Sequence, residues 1–440
     1  VYFKGSSIDT AFPDERESAI DDVMPAARNI YNRLLLRETR PSGSFRKDCA
    51  EQKFSNFKLN CTFDTHDSTF TTFTLPFLRR RTKITEIIST GSVCFALAQS
   101  GVCAAFSTET KKRLCYLNVE KDEVVRSLFY NKHCQSLITV SVHKHDNYSS
   151  LRCRTTSIEY IKRGRPELGY CIFASEALTY PGFVEFDDVN AKVLTYSADG
   201  LTYKVWDLKN YELLYQIKDS TITEVKISPG VMLLIHQRTT SNVKLKILNI
   251  DNGKVLREVN RLLRRTRKVD FIEQFHDKLL FKQEDEDLQI VDVSTNIAIS
   301  VPKANFMTPS AFIFLYENHL FLTFRDRSVS VWNFRGELVT SFKDHKLWYN
   351  ECNTNIIYIT SHQDLIISYC KVSDKTYGSI NISNILTGKC LSKIPVDRAR
   401  DNFCGGPSST DDEVTALFYN EERNEIYSGN RFGQVQCWTN

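Results

Sequence analysis

The sequence predicts an all-β protein in which short antiparallel meanders are repeated along the chain. The C-terminal stretch 413–440 contains three short runs of strand-favouring residues, separated by the polar turns 420–424 and 430–433. In its last run, apolar and polar residues alternate with the period of a pleated strand. Because a three-stranded meander cannot bury its apolar surface alone, this stretch indicates that similar units pack beside it.

Two other stretches, 192–207 and 319–333, repeat the pattern and end in Val-Trp-Asp and Val-Trp-Asn. The C-terminal stretch contains Cys-Trp-Thr, so three of the four tryptophans hold one place in the repeat. In these stretches the chain resembles the WD-repeat family of β-propellers. The resemblance implies a ring of blades in which the residues at this place are structural, namely Trp206, Asp207, Trp332, Asn333 and Trp438.

The number of repeats sets the expected size of the ring. Eight meander starts between residue 83 and the C terminus give about 45 residues per blade, close to the WD-repeat period. Eight blades are therefore expected, with seven as the alternative if the first or second meander, which match poorly, is an excursion. The last repeat stops after its third strand. In the WD-repeat family a strand from the other terminus completes the last blade, and segment 56–75 is the candidate within an expected propeller 55–440.

Residues 1–54 differ from the rest, and we expect them to form an arm with an amphipathic helix over residues 14–37. The apolar stripe of this helix includes Ile20, Val23, Ile30, Tyr31 and Leu34. The stripe fits two alternatives, a helix that docks in a groove on a partner protein and a helix that lies on the side of the propeller itself. Both alternatives require the same apolar stripe.

The composition predicts an intracellular protein of the cytoplasm or nucleus. The net charge of +4 is too small to imply nucleic-acid binding by itself. No apolar run approaches the roughly 18 residues that a membrane span needs, and the first two dozen residues lack the apolar core of a secretory signal. The 13 cysteines are scattered, which favours free thiols in a reducing compartment.

No catalytic, cofactor or metal motif is found, so we expect a protein without enzymatic activity or cofactor. His143 and His145 lie two residues apart, but no third ligand is near them in the sequence, and we expect a solvated loop there. His345 is expected to be structural, since in WD-repeat proteins a histidine at this place can hydrogen-bond toward a serine and a tryptophan of the blade.

Two groups of arginines are candidate binding residues. Arg335 ends a Trp-Asn-Phe-Arg stretch that departs by one residue from the Trp-Asp-x-Arg with which some WD-repeat proteins dock on the adaptor of a cullin-based ubiquitin ligase. Lys209 holds the same place in the earlier repeat, which also departs by one residue. Arg264, Arg265 and Arg267 form a basic connector. If this connector reaches the same face as the basic stretch 79–83, the two could meet phosphates or an acidic protein.

The sequence therefore predicts a non-enzymatic protein–protein interaction scaffold or adaptor. Two alternatives stay open: a substrate receptor of a cullin-based ubiquitin ligase, and a scaffold subunit of a nucleic-acid-associated complex that uses its basic loops. The predicted partners are other proteins, with nucleic acid as the less supported choice.

Overall fold

The computed structural model describes residues 53–67, 73–173, 178–179, 182–239, 241–264, 266–350, 352–371, 378–396 and 413–440. These residues form eight four-stranded antiparallel sheets, which are the blades of a β-propeller. The prediction of an all-β propeller is confirmed, and the ring has eight blades, not seven. The apolar stripe predicted for the N-terminal arm, Ile20 to Leu34, lies outside the described residues.

Blades 1 to 7 each follow one meander of the sequence, with the strands in chain order from the channel outward, and in blade 8 the outermost strand comes from the front of the chain. The strands of blades 1 to 3 are β2 (Ile84–Thr90), β3 (Val93–Ala98), β4 (Cys103–Ser107), β5 (Arg113–Tyr116), β6 (Glu123–Asn131), β7 (Ser136–His143), β8 (Arg152–Ser157), β9 (Tyr170–Ile172), β10 (Phe183–Asp187), β11 (Lys192–Ser197), β12 (Thr202–Asp207) and β13 (Leu213–Lys218). Those of blades 4 and 5 are β14 (Ile222–Ser228), β15 (Val231–His236), β16 (Asn242–Asn249), β17 (Val255–Leu262), β18 (Val269–Phe275), β19 (Lys278–Gln283), β20 (Leu288–Asp292) and β21 (Ala298–Val301).

Blades 6 to 8 complete the ring. Their strands are β22 (Ala311–Leu315), β23 (Leu320–Arg325), β24 (Ser328–Asn333), β25 (Leu338–Ser341), β26 (Ile357–Ile359), β27 (Leu365–Lys371), β28 (Gly378–Asn384), β29 (Cys390–Pro395), β30 (Val414–Asn420), β31 (Glu425–Asn430), β32 (Gln434–Thr439) and β1 (Lys58–Asp64). Besides the helical residues 53–54, the described helical elements are α1 (Ile158–Lys162) and the short 3-10 helices Pro76–Arg79, Lys144–Asp146, Pro166–Leu168, Ala198–Gly200 and Thr354–Ile356.

The ring closes where β1, from the front of the chain, pairs antiparallel with β32 at its end. Phe63 of β1 is buried opposite Val435, and its ring stacks on that of Phe106 in blade 1 with centroids 5.0 Å apart. Blade 8 also touches blade 1 directly, because the Thr415 hydroxyl donates a hydrogen bond of 2.6 Å to the Ile84 carbonyl. The two ends of the chain are therefore joined by backbone pairing and by a shared core.

The hydrophobic core lies between blades. Each described cluster of buried side chains draws its members mainly from two neighbouring blades, and one such cluster joins blade 8 to blade 1. Since no blade buries its own apolar faces, the blades depend on one another for stability. The blades follow one another around the ring in chain order, so blades 4 and 8 lie on opposite sides.

The three repeat tryptophans make the same contact in their blades. The indole N–H groups of Trp206, Trp332 and Trp438 donate to a hydroxyl of the second strand at 2.9, 2.9 and 2.8 Å. The register of the third and fourth strands shifts directly before Trp206 and Trp332. The large ring is thus buried at a β-bulge, and its one polar group is hydrogen-bonded.

The residues that follow these tryptophans hold the next turn. The Asp207 carboxylate accepts a hydrogen bond of 2.7 Å from the backbone N–H of Lys209. The Asn333 side-chain oxygen accepts 3.0 Å hydrogen bonds from the backbone N–H groups of Arg335 and Glu337. Both side chains replace backbone partners in a turn, which is a common use of Asp and Asn.

Candidate interaction surfaces

The antiparallel order of the strands gives the ring two unlike faces. Turns between strands one and two and between strands three and four reach one face, which we call the turn face. Loops between strands two and three and the connectors between blades reach the other, which we call the connector face. A candidate residue can therefore be placed by the loop that carries it.

A band of exposed aliphatic side chains runs along the outermost strands of blades 3 to 6, and we call this band the apolar rim. Its members are Leu213, Leu214, Val255, Leu256, Ile297, Ile299, Leu338 and Val339. These side chains are well exposed to solvent, and Val255, Leu256 and Leu338 are 52%, 57% and 51% exposed. The apolar rim thus leaves side chains in water that normally help to fill a core.

The members of the apolar rim lie at one height on the propeller. Leu213 and Leu338 are register partners of Trp206 and Trp332. Val255 pairs in the same way with Leu248, at the corresponding bulge of blade 4. Each fourth strand begins at the turn face, so the repeated pair of aliphatic residues forms a band next to that face.

The strands that carry the apolar rim are sheet edges with unpaired backbone groups. Two of them, β21 and β25, contain no charged residue, although charges are a usual protection of such edges. By contrast, the outer strand of blade 8, β1, presents Lys58, Asn60 and Thr62 to solvent. The outermost strand of blade 8 thus lacks the exposed aliphatic pair found on blades 3, 4 and 6.

Arg335 lies in the turn between β24 and β25, beside the apolar rim of blade 6, and its side chain is exposed. Lys209 holds the equivalent turn in blade 3, next to Leu213, and is also exposed. Gly336 allows the first of these turns, since its φ is +77° and a Cβ there would lie 2.2 Å from a methyl carbon of Val301 in blade 5. Both cationic residues therefore border the apolar rim.

The basic connectors are on the connector face, but they do not form one surface. Arg264 and Arg267 lie between blades 4 and 5 and pair with Glu286 at 2.9 Å and Asp285 at 2.8 Å. Arg265 lies outside the described residues. Arg81, between blades 8 and 1, is half a ring away and pairs with Asp64 at 2.7 Å. The acidic turn that follows β19 thus neutralises the charges of Arg264 and Arg267, which the sequence had suggested as a binding surface.

Ionisable groups also converge on the inner strands, where a propeller enzyme would hold its active site. The Lys226 ammonium of blade 4 lies 2.8 Å from Glu224 and 3.0 Å from Glu273 of blade 5. Burial raises the pKa of the Glu273 carboxyl, while Lys226 acts in the opposite direction. The arrangement is an ion-paired link between two inner strands, and it contains no nucleophile beside a general base.

These features define the chain as an eight-bladed β-propeller with an apolar outer rim on blades 3 to 6. Residues 42–438 match the family described as Domain of unknown function (DUF7899), so the chain belongs to this family. A comparison with curated proteins finds no match. Across the described residues, the helices are too short or too polar to cross a membrane.

Two solved structures are similar to this chain at low sequence identity. The computationally designed Ika8 protein is 18% identical, with a TM-score of 0.48 over 82% of this chain and 97% of that chain. BamB from Moraxella catarrhalis is 12% identical, with a TM-score of 0.43 over 88% of this chain and 98% of that chain.

The apolar rim was not predicted from the sequence. The signal was present, because an aliphatic pair follows the third-to-fourth turn in blades 3, 4 and 6. Such a pair is typical of any buried strand. Only the position of the strand at the outer edge of its blade shows that the pair faces water.

Proposed function

We propose that this protein is a non-enzymatic scaffold of WD-repeat type whose apolar rim docks a protein partner. The observation that carries the proposal is the repetition of exposed aliphatic residues at the start of the outermost strand on four neighbouring blades. Single exposed leucines need no explanation, but a repeated band is typical of an interaction surface. The ring holds the band in a fixed curve, as a scaffold requires.

The WD-repeat assignment is supported by the tryptophans. Three blades share an indole-to-hydroxyl hydrogen bond at the residues that carry the sequence resemblance. The eleven described cysteines are all free, which supports a reducing compartment, so we propose that the protein acts in the cytoplasm or nucleus.

The partner that fits the apolar rim has an apolar surface with acidic groups at its border. Apolar contact would supply most of the affinity, because the exposed residues are aliphatic. Lys209 and Arg335, at the two ends of the apolar rim, would attract carboxylates and fix the orientation. A partner could also add a strand to the short uncharged edge of β21 or β25.

Charge substitutions in the apolar rim test this proposal. Leu256→Glu and Leu338→Glu together should abolish capture of a protein that the wild type and a matched control, Asn60→Glu with Thr62→Glu on β1, both retain. All four positions are exposed, so thermal unfolding should be unchanged. If the rim variant retains every partner of the wild type, the apolar rim is not the docking surface.

A second candidate function is that of a substrate receptor for a cullin-based ubiquitin ligase. Its specific support is the exposure of Arg335 at the turn after Trp332, where the WD-repeat resemblance expects an adaptor contact. Arg335→Ala should then abolish co-purification of the ligase adaptor, while Arg327→Ala, on the connector face, should have no effect. Loss in neither variant, or an equal loss in both, rejects this role.

The nucleic-acid alternative has less support, because Arg264 and Arg267 are already ion-paired. A fluorescence titration with RNA and DNA at several salt concentrations tests it, since phosphate binding weakens steeply with salt. We expect no salt-dependent binding.

A further inference from the structure

A second polar cluster lies on the connector face of blade 2, away from the apolar rim. It contains Glu120, Asp122, His143 and His145, with Arg152 at its side, and we call these residues the blade 2 cluster. The acidic pair comes from the connector between blades 1 and 2, and the histidines come from the end of β7 and the loop behind it. The His145 backbone N–H donates a 2.9 Å hydrogen bond to Asp122, which holds the loop against the connector.

The expectation of a solvated loop is wrong for His143. This residue ends β7 and is only 3% exposed. Its Nδ1 is buried without a hydrogen-bond partner among the described residues, and its Nε2 lies 3.6 Å from the Glu120 carboxylate, too far for a hydrogen bond. Burying an imidazole without its hydrogen bonds is unfavourable. The Nε2 atom, which faces Glu120, is the one that a ligand in this cluster could satisfy.

The distances between the donor atoms suit a small metal ion. His145 Nδ1 lies 2.9 Å from Asp122 Oδ2 and 3.9 Å from Glu120 Oε2, and Glu120 Oε2 lies 3.6 Å from His143 Nε2. Tetrahedral zinc with bonds of about 2.0–2.1 Å separates its donors by about 3.3 Å. The donor atoms of Glu120, Asp122 and His145 all lie within 4.8 Å of one another. His143 is not within that distance of all three, so its imidazole would have to move by more than an ångström to complete a tetrahedral set.

Arg152 now supplies the positive charge of the cluster. One of its guanidinium nitrogens lies 3.0 Å from His145 Nε2 and the other 3.8 Å from Glu120. If His145 bound a metal through Nδ1, its Nε2 would carry the proton and could no longer accept from Arg152. A metal ion and Arg152 would therefore compete for His145 and Glu120. Removing the Arg152 guanidinium should then strengthen metal binding.

We propose that Glu120, Asp122, His143 and His145 bind one divalent transition-metal ion, and that Zn²⁺ fits this mixed nitrogen and oxygen donor set best. Imidazole and carboxylate are the usual non-thiolate ligands of zinc, whereas Mg²⁺ and Ca²⁺ prefer oxygen ligands alone. The ion would link the connector between blades 1 and 2 to the loop after β7. It would therefore stabilise the propeller at this joint, independently of the apolar rim.

Calorimetric titration of the tag-free protein with Zn²⁺ alone tests the site. We expect one equivalent to bind, at least 10-fold weaker binding in His145→Ala and in Asp122→Asn, and tighter binding in Arg152→Met. His362→Ala removes an exposed histidine of blade 7 and should leave the affinity unchanged. Absence of binding, or binding that His145→Ala and Asp122→Asn do not weaken, overturns the proposal, as does weaker binding in Arg152→Met.

X-ray absorption at the zinc edge gives a result that does not depend on any variant. The loaded wild type should show four light-atom ligands with the scattering of two imidazoles. A spectrum with no imidazole, or with sulfur in the first shell, would show that zinc binds elsewhere and would overturn the assignment.

Discussion

The Nδ1 atom of His345 lies 2.7 Å from the Ser383 hydroxyl, at the place in blade 7 where three other blades carry a tryptophan. The Nε2 atom of the same ring lies 2.6 Å from Ser368 of the second strand, and the imidazole is fully buried. Ser383 follows a register shift between the third and fourth strands, as Trp206 and Trp332 do. The imidazole of a preceding loop therefore fills the space that an indole fills elsewhere.

The buried imidazole makes stability depend on pH. Burial lowers the pKa of His345 from 6.5 to about 3, so above pH 6.5 the ring is neutral in the folded and the unfolded chain. As the pH falls below that value, only the unfolded chain takes up this proton. The free energy of unfolding should then fall by about 1.4 kcal/mol per pH unit from this residue alone. Urea unfolding of wild type and His345→Asn between about pH 4 and 7 measures the difference.

In His345→Asn this part of the pH dependence should vanish, although the variant is less stable at neutral pH. His362→Asn, a change at an exposed histidine, should keep the wild-type profile. An unchanged pH slope in His345→Asn would mean that the buried ring does take up a proton.

The closing strand should carry much of the stability of the ring. Phe63→Ala removes a buried ring that stacks on Phe106 across the seam, and it should lower the free energy of unfolding by about 3–5 kcal/mol. Lys58→Ala, at an exposed position of the same strand, should change it by less than about 0.5 kcal/mol. Chemical denaturation of both variants compares the two effects, and equal small losses would contradict closure by β1.

The indole-to-hydroxyl hydrogen bond should contribute about 0.5–1.5 kcal/mol to the free energy of unfolding in each blade. Trp332→Phe keeps most of the ring but removes the N–H that bonds Thr323, leaving a buried hydroxyl unsatisfied. Thr323→Val removes the acceptor instead. A double-mutant cycle by urea denaturation should give a double variant that is less destabilised than the sum of the single changes. Strict additivity would show that the contact contributes nothing.

The N-terminal arm stays a prediction. Replacing Ile30 and Leu34 with Asp should abolish binding of one partner while the thermal unfolding of the propeller is unchanged, because the apolar stripe would serve the partner and not the ring. The matched control is Glu38→Asp, which leaves the stripe intact. A lowered unfolding temperature would show that the arm packs on its own propeller.

The sequence by itself determined the repeated meanders and the positions of the three tryptophans, because these patterns depend on residues within a few positions of one another. It favoured eight blades over seven, and the structure decided the number. The sequence also left a three-stranded last blade, which pointed to a strand from the front of the chain. Segment 56–75 does contain β1, which pairs with β32.

Only the tertiary structure decided which surfaces face water and which distant groups meet. Leu256 would be buried if another strand packed outside β17. Because β17 is the outermost strand of its blade, Leu256 is exposed. Glu120 lies near His143 because the connector that enters blade 2 and the loop after the second strand of that blade reach the same face, and Arg264 pairs with Glu286 in blade 5 for the same reason. Such contacts follow from the closed ring and leave no periodic signal in the local sequence.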